Sequence, residues 1–460
     1  MMMTGKEYRA SLNDGRRVFL DGRLVEDVDA HPDFAIPIGT IAAAYDRDWR
    51  PGADTVNDKL KAPTSAEELR AHSEAETDQM TSTTFTSLMT LLTAGDRIAA
   101  VRPQGRAAIR AYVDEVLQRD WRVAECITDA KGDRSLPPAK QSDPDAYLRV
   151  VERRPDGVVI RGAKMHVSQG AMAHEMMVIP TKSMKPDEGD YAIACAVPAN
   201  APGLKIVAVG TPPRGDLRDS PLAARRYNPQ CFVLFEDVFV PNERVFLDGE
   251  TEHAGTFAHS LGLWIRSGSM ARAADEADTL AGLAQLMAEA NGLEKVAHVR
   301  DKITDIVLQA TLIRACYEAS IATGKPQADG SVQPNELYAN VGKYMAAADN
   351  GLMLRHLLDI AGGSALTAPS HRDLENEEVG ETLRKYMATK PQIDGLYRTQ
   401  LFHTVRDLTV TAFAGYDAIS LLLGGGGLNA QRIVARGRYD MERAKRLGLK
   451  LANLAGETNE

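Results

Sequence analysis

The spacing of hydrophobic positions changes twice along the chain. Up to about residue 118 the pattern is helical, after an irregular start rich in Asp, Pro and Gly. Ser65 followed by Glu68, just after Pro63, fits a capping box that opens a helix. A further helix is expected after Pro103, with Ile109, Tyr112, Val113 and Val116 on its apolar face. From about 119 to 250 short β-branched runs alternate with turn residues, predicting strands at 147–151, 158–160, 176–179, 191–197, 206–209 and 231–235. From about 253 onward helical spacing returns, as in Leu280, Leu283, Met287 and Ala290, then Val299, Ile303, Ile306, Val307, Ala310 and Ile313. Further helices are predicted over 335–361, 373–388, 394–422 and 429–453. The order helices, strands, helices implies an α+β chain in three parts. These are a mainly helical domain (1–118), a middle β domain built as a small barrel or sandwich (119–250), and a C-terminal helical bundle (251–460).

Composition narrows the function classes. The 460 residues are 44% hydrophobic and 25% charged, an ordinary globular balance. A net charge of −9 offers no basic face to nucleic acid or to an anionic membrane. The N-terminus lacks the apolar core of a signal peptide. The most membrane-like stretch, 408–428, is interrupted by Asp417 and by glycines, among them the run of four at 424–427, so a buried helix is expected there and a cytoplasmic location overall. Cys126, Cys195, Cys231 and Cys316 stand far apart, which predicts buried free thiols rather than a zinc site or a disulfide framework.

Several segments carry candidate chemistry. Thr128-Asp129-Ala130-Lys131-Gly132-Asp133-Arg134 combines a hydroxyl, a glycine and cations, so it can turn tightly and offer N–H groups to a ring carbonyl or phosphate. The rival reading is a charged surface turn. In 162–170 the polar residues Lys164, His166, Ser168 and Gln169 interrupt an apolar β-region, where burial without partners is costly. They satisfy one another or face a ligand, and Ser168 and Gln169 suit the N5 and O4 edge of a flavin. His166 reads first as a structural histidine; with His174 it lacks a third ligand for a metal. Gly362-Gly363 follows a predicted helix and could approach a pyrophosphate, or could simply cap that helix. The hydroxyl-rich run 81–89, with Thr81 and Thr84, suggests a polar pocket wall or close helix packing. No GxGxxG follows a strand, so a Rossmann site has no support.

Taken in order, TDAKGDRS, Asp143-Pro144-Asp145-Ala146-Tyr147, Arg161-Gly162-Ala163-Lys164, His174-Glu175, FEDVFVPNERVF and Asp359-Ile360-Ala361-Gly362-Gly363 resemble the 4-hydroxyphenylacetate 3-monooxygenase and 4-hydroxybutyryl-CoA dehydratase superfamily over nearly the whole chain. The resemblance implies an acyl-CoA dehydrogenase-like fold with the middle domain as a β-barrel. It implies an FAD site between that domain and the helical bundle, and a homotetramer whose neighbouring subunits complete the site. Thr128, Lys131, Arg134, His166, Ser168 and Gln169 would meet the flavin, and Gly362 and Gly363 its adenine or pyrophosphate end.

The superfamily's two branches part at the metal. The dehydratase branch holds an iron–sulfur cluster through three cysteines and a histidine, two of the cysteines in the N-terminal domain. This chain has no cysteine before Cys126, Ile265 and Arg272 align with the other two ligands, and Ser420 replaces a glutamate. The flavin branch remains: two-component monooxygenases that take FADH2 from a separate reductase, react it with O2 to a C4a-hydroperoxyflavin, and hydroxylate a small aromatic or heteroaromatic, usually phenolic, substrate. The phenylacetate-recognising motif of that branch is replaced here by 81–86, and its loop histidine by Asp129. Asp129 is therefore the expected base, Arg266 a second catalytic candidate, and Thr81, Thr84 and Trp264 substrate-pocket candidates, with no metal ligand. The competing readings are a cluster-less acyl-CoA dehydratase or isomerase relative and a flavin-free oligomeric scaffold.

Overall fold

The computed structural model describes residues 2–52, 54–75 and 82–454. The N-terminal part contains α1 (Gly5–Ser11), a hairpin of β1 (Val18–Leu20) and β2 (Arg23–Val25), then α2 (Ala35–Asp48), α3 (Ala66–Ala75), α4 (Ser82–Ile98) and α5 (Pro103–Arg119). The middle part runs β3 (Val123–Cys126), β4 (Thr128–Asp129), β5 (Arg149–Arg154), β6 (Gly157–Ser168), β7 (Glu175–Val178), β8 (Ile193–Pro198), β9 (Leu204–Val209), the short α6 (Ala223–Arg226), β10 (Gln230–Pro241) and β11 (Val245–Asp248). The C-terminal part opens on the 40-residue α7 (Thr251–Ala290), followed by α8 (Ala297–Ala322) and α9 (Glu336–Ala361). It ends in shorter helices: α10 (Ser364–Thr367), α11 (His371–Glu375), α12 (Gly380–Met387), α13 (Gly395–Thr409), α14 (Ala412–Leu423), α15 (Leu428–Arg438) and α16 (Met441–Leu451).

The β region is two sheets, and among the described residues no closed barrel forms. One has seven strands, ordered β2-β1-β9-β10-β6-β4 with β5 also on β6; the other has four, ordered β11-β8-β7-β3. The expected barrel is thus corrected to a pair of sheets. Their facing sides share a core with α1 and α2, including Tyr8, Phe34, Ile38, Cys126, Ile160, Met176, Cys195 and Phe235. A second core, between the outer face of the small sheet and α4, α5 and α7, includes Leu88, Tyr112, Val123, Met177, Phe246, Phe257 and Trp264. A third lies within the helical bundle around Leu283, Met287, Leu357 and Phe402.

Local chemistry explains where the observed elements depart from the pattern. The β1–β2 hairpin turns on Asp21-Gly22, both at positive φ (49° and 75°), the turn that suits the twist of two-residue hairpins. Ser65 does cap α3, bonding Glu68 N at 3.1 Å, but the return bond from Glu68 goes to Thr64 N at 2.7 Å, one residue earlier. The helix expected over 394–422 is two, because Thr411 accepts from Ala414 N at 3.2 Å and caps α14. Asn376 likewise separates α11 from α12, and Asp440 separates α15 from α16. The apolar stretch 408–428 is not buried in this chain: α14 buries only Phe413 and Ala414, while Ile419 and Leu423 are 60% and 54% exposed. No single helix among the described residues is long and apolar enough to cross a membrane.

Candidate functional site

β4 pairs with β6, setting Thr128 opposite Met165 and Asp129 opposite Lys164. The two segments singled out in the sequence are therefore neighbours in space. Asp129 and Lys164 form an ion pair at 2.8 Å with both side chains 2% exposed. Asp129 also accepts from Leu148 N at 2.9 Å and from the Thr181 hydroxyl, while Lys164 donates to the Ile127 and Ile179 carbonyls, each at 2.9 Å. Both oxygens of Asp129 are engaged and its side chain is buried against Lys164, away from any approaching substrate. The geometry makes it a clamp that holds β4 against β6, and this replaces the base role expected from the sequence.

Beyond Asp129 the chain turns through Lys131 and Gly132, at φ 74° and 52°. A side chain on Gly132 would strike Gln141 Oε1 at 2.3 Å, so the close turn requires glycine. Burial lowers the Lys131 ammonium pKa, and the Arg134 charge lowers it further. Two cations that repel each other across a tight turn would be relieved by an anion. His166 sits at φ 59° in a β-bulge of β6, opposite Cys231–Val233, and is exposed on the same side as Lys131, whose charge helps to lower its pKa after desolvation.

The β6 end is tied to the helical bundle. Ser168 Oγ donates to Gln230 Oε1 at 3.0 Å, and Gln230 Nε2 donates to the Tyr416 hydroxyl on α14 at 3.2 Å. Gln169, at φ 59°, points inward instead, and its Oε1 accepts from the buried Arg122 guanidinium. Its side chain is therefore not on the Ser168 side. His174 bonds Arg122 N at 2.8 Å and lies 2.8 Å from Ser11 Oγ; burial, with Arg16 and Arg122 nearby, lowers it to about 3 and keeps it neutral.

On the helical side, Arg266 of α7 donates to Gly425 O at 2.8 Å and to Asn340 Oδ1 at 2.7 Å. It joins the 424–427 glycine loop to α9. Farther along α7, Arg272 bonds Glu276 at 2.7 Å and Asp417 at 3.0 Å, and Arg226 reaches Glu276 at 2.8 Å. Lys343 of α9 donates to the Leu421 carbonyl; burial, with Arg272 beside it, lowers its pKa to about 8. Ile265, Arg272, Lys343, Tyr416 and Asp417 thus share the junction of α7, α9 and α14.

The remaining sequence candidates are scattered. Thr84 accepts from Val123 N at 3.1 Å and fixes α4 to β3. Trp264 is 3% exposed, donates to Thr93 Oγ1 at 2.9 Å and packs edge-on against Phe85; it is a core residue rather than a pocket wall. Thr81 lies outside the described residues. Gly362, at φ 70°, ends α9 and both Gly362 and Gly363 are exposed. From Asn340 that end is roughly 30 Å along the helix at 1.5 Å per residue, so one chain does not bring the pair to the Arg266 corner.

A residue the sequence reading passed over is Glu125. β3 alternates: Ala124 and Cys126 enter the inter-sheet core while Val123 joins the α4 side. Period 2 puts Glu125 on that same side, where a hydrophobe is expected. Its Oε1 accepts from Thr86 of the hydroxyl-rich α4, and no cation lies within ion-pair distance among the described residues. Burial raises its carboxyl to about 7. The signal was a lone glutamate inside the apolar run Val123–Ile127.

Comparison with known proteins gives the family. Residues 4–247 match the N-terminal part of the 4-hydroxyphenylacetate 3-hydroxylase family and residues 254–453 its C-terminal part. The chain belongs to this family. A 4-hydroxybutyryl-CoA dehydratase/vinylacetyl-CoA-Delta-isomerase of Clostridium aminobutyricum is 30% identical, covering 99% of this chain and 100% of its own. A 4-hydroxyphenylacetate 3-monooxygenase oxygenase component of Geobacillus sp. is 29% identical over 89% and 88%. The FADH(2)-dependent monooxygenase TftD of Burkholderia cepacia is 26% identical over 99% and 93%. Among solved structures, an oxygen-tolerant archaeal 4-hydroxybutyryl-CoA dehydratase of N. maritimus superposes with TM-score 0.88 at 26% identity, covering 100% and 97%. The oxygenase component HpaB complexed with FAD superposes at 0.86 and 24%, covering 98% and 99%. A butyryl-CoA dehydrogenase of Megasphaera elsdenii superposes at 0.50 and 14%, covering 88% of each chain, which relates the fold to the acyl-CoA dehydrogenases.

The family's relatives include both dehydratases and monooxygenases, so the donor set matters. Cys126, Cys195, Cys231 and Cys316 lie on β3, β8, β10 and α8, all unpaired. Among the described residues no group of three convergent ligands includes a cysteine. A thiolate-held iron–sulfur cluster does not fit these residues.

Proposed function

We propose that this chain is the oxygenase component of a two-component system that hydroxylates a small aromatic, phenol-like substrate with reduced FAD and O2. The observation that carries the reading is the α7–α14 corner: Arg272, Glu276 and Asp417 fill with ion pairs the place that aligns with the dehydratase branch's ligands. The monooxygenase relatives supply the other half of the argument. When bound, reduced flavin supplies the two electrons that let one oxygen atom of O2 enter the substrate while the other leaves as water.

The chain's own groups divide the remaining work. Thr128, Lys131 and Arg134 would hold an anionic part of the cofactor at the tight turn, with His166 beside them. The Ser168–Gln230–Tyr416 chain would fix the wall between the sheet and the bundle. Gly362 and Gly363 would act from a neighbouring subunit, in keeping with a homotetramer. Glu125 takes the base role: its raised carboxyl would accept a phenolic proton, and the α4 hydroxyls around Thr86 would orient that hydroxyl. Arg266 positions the glycine loop.

Anaerobic titration should show reduced FAD binding at least tenfold more tightly than oxidised FAD, and admission of O2 with a panel of phenols should give a hydroxylated product. Tight binding of oxidised FAD, with turnover of a CoA thioester and no O2 consumption, would favour the cluster-less acyl-CoA reading. No binding of either form would favour the scaffold.

A further inference from the structure

Asp219, His371 and His403 meet where the β9–β10 connection touches α11 and α13, away from the candidate flavin site. Asp219 Oδ1 accepts from His371 N at 3.0 Å and lies 2.7 Å from His371 Nδ1 and 3.2 Å from His403 Nδ1. His371 is 5% exposed and His403 is fully buried at 0%.

The hydrogens decide what this cluster can do. His403 Nε2 lies 2.9 Å from the Pro369 carbonyl, which only accepts, so Nε2 carries the proton. A neutral His403 then presents a lone pair at Nδ1. That atom is buried and has no hydrogen-bond partner, although a carboxylate oxygen stands 3.2 Å away. Lone pair facing carboxylate, in a dry site, is an arrangement that a cation resolves. The ligand atoms of all three residues lie within 4.8 Å of one another.

We propose that Asp219, His371 and His403 bind one divalent transition-metal cation of the zinc class. Two imidazole nitrogens and one carboxylate suit zinc better than magnesium or calcium, which prefer all-oxygen shells. Bonds of 2.0–2.1 Å in a tetrahedron set ligand atoms about 3.3 Å apart; the 3.2 Å Asp219–His403 spacing already matches, and the 2.7 Å Asp219–His371 spacing must open. Binding displaces the His371 Nδ1 proton to solvent, and water takes the fourth position. The cation would clip the β9–β10 connection to the bundle. That connection carries Arg226, whose bond to Glu276 at 2.8 Å leads to the α7–α14 corner.

The test uses the full-length, untagged protein, stripped with a chelator and titrated with zinc alone. The expected result is one tightly held zinc per chain, a higher Tm on zinc addition, and at least a tenfold weaker affinity in both Asp219→Asn and His403→Gln. A cobalt titration of the wild-type chain should develop visible d–d bands of a four-coordinate site, which keeps the test valid where a variant fails to fold. No zinc-dependent Tm change with no such bands, or unaltered zinc affinity in folded variants, overturns the proposal.

Discussion

Glu125 and Asp129 show how one carboxylate differs from another four residues away. Asp129 is matched by Lys164 at 2.8 Å, whereas Glu125 has only the Thr86 hydroxyl. Removing one partner of a buried pair strands the other, so Lys164→Met should cost about 3–5 kcal/mol of unfolding free energy; denaturant titration measures this. Glu125 has the opposite sign. Its folded pKa of about 7 lies above the ordinary glutamate value of 4.5. The folded state therefore holds more protons than the unfolded state between those values, and stability falls as pH rises from 4.5 through 7. Glu125→Gln should flatten that decline, by on the order of 1–3 kcal/mol at the alkaline end. The same substitution should abolish the rise in turnover with pH near 7, because the base that deprotonation creates is gone. A folded Glu125→Gln enzyme with an unchanged pH–rate profile would remove Glu125 from the mechanism.

At the scale of elements, side-chain caps set helix lengths more than hydrophobic spacing does. Thr411→Ala should remove the cap that starts α14 and lower stability by about 1 kcal/mol, seen as a modest drop in Tm. The helices expected over 394–422 and 429–453 split at such caps, Thr411 and Asp440, and the one over 373–388 splits at a turn in which Asn376 Oδ1 accepts from Glu378 N and Val379 N. Apolar periodicity continues through these breaks, which is why the pattern read them as single helices. The helix over 336–361 was legible almost to its ends, and it runs unbroken through Asp349-Asn350-Gly351 at its centre. Among the strands, the long runs of β6 and β10 were visible only in their apolar N-terminal parts, 158–160 and 231–235. The β1–β2 hairpin was missed because its strands have three residues each, although Asp21-Gly22 marks it. The meeting of 128–134 with 162–170 depends on β4–β6 pairing, which no local pattern reveals. Neither could spacing alone show that Asp129 is clamped while Glu125 is not.

The whole molecule leaves apolar surface uncovered at its C-terminal end. Ile419, Leu423, Ile433 and Leu447 are each more than half exposed, at 60%, 54%, 64% and 53%. A single chain with such a surface is unstable toward association. Light scattering coupled to size exclusion should give a mass of four chains, and the double substitution Ile419→Asp, Leu423→Asp should lower it. If Gly362 and Gly363 act on a neighbour's cofactor, the dissociated form should also bind reduced FAD more weakly.

The central claim is that the chain uses O2 to hydroxylate an aromatic ring. Turnover with isotopically heavy O2, reduced FAD and a responsive phenol tests it most directly. One heavy oxygen atom in the product, matched by one in water, is the predicted result; a product whose new oxygen comes from water, or turnover that proceeds without O2, would contradict it.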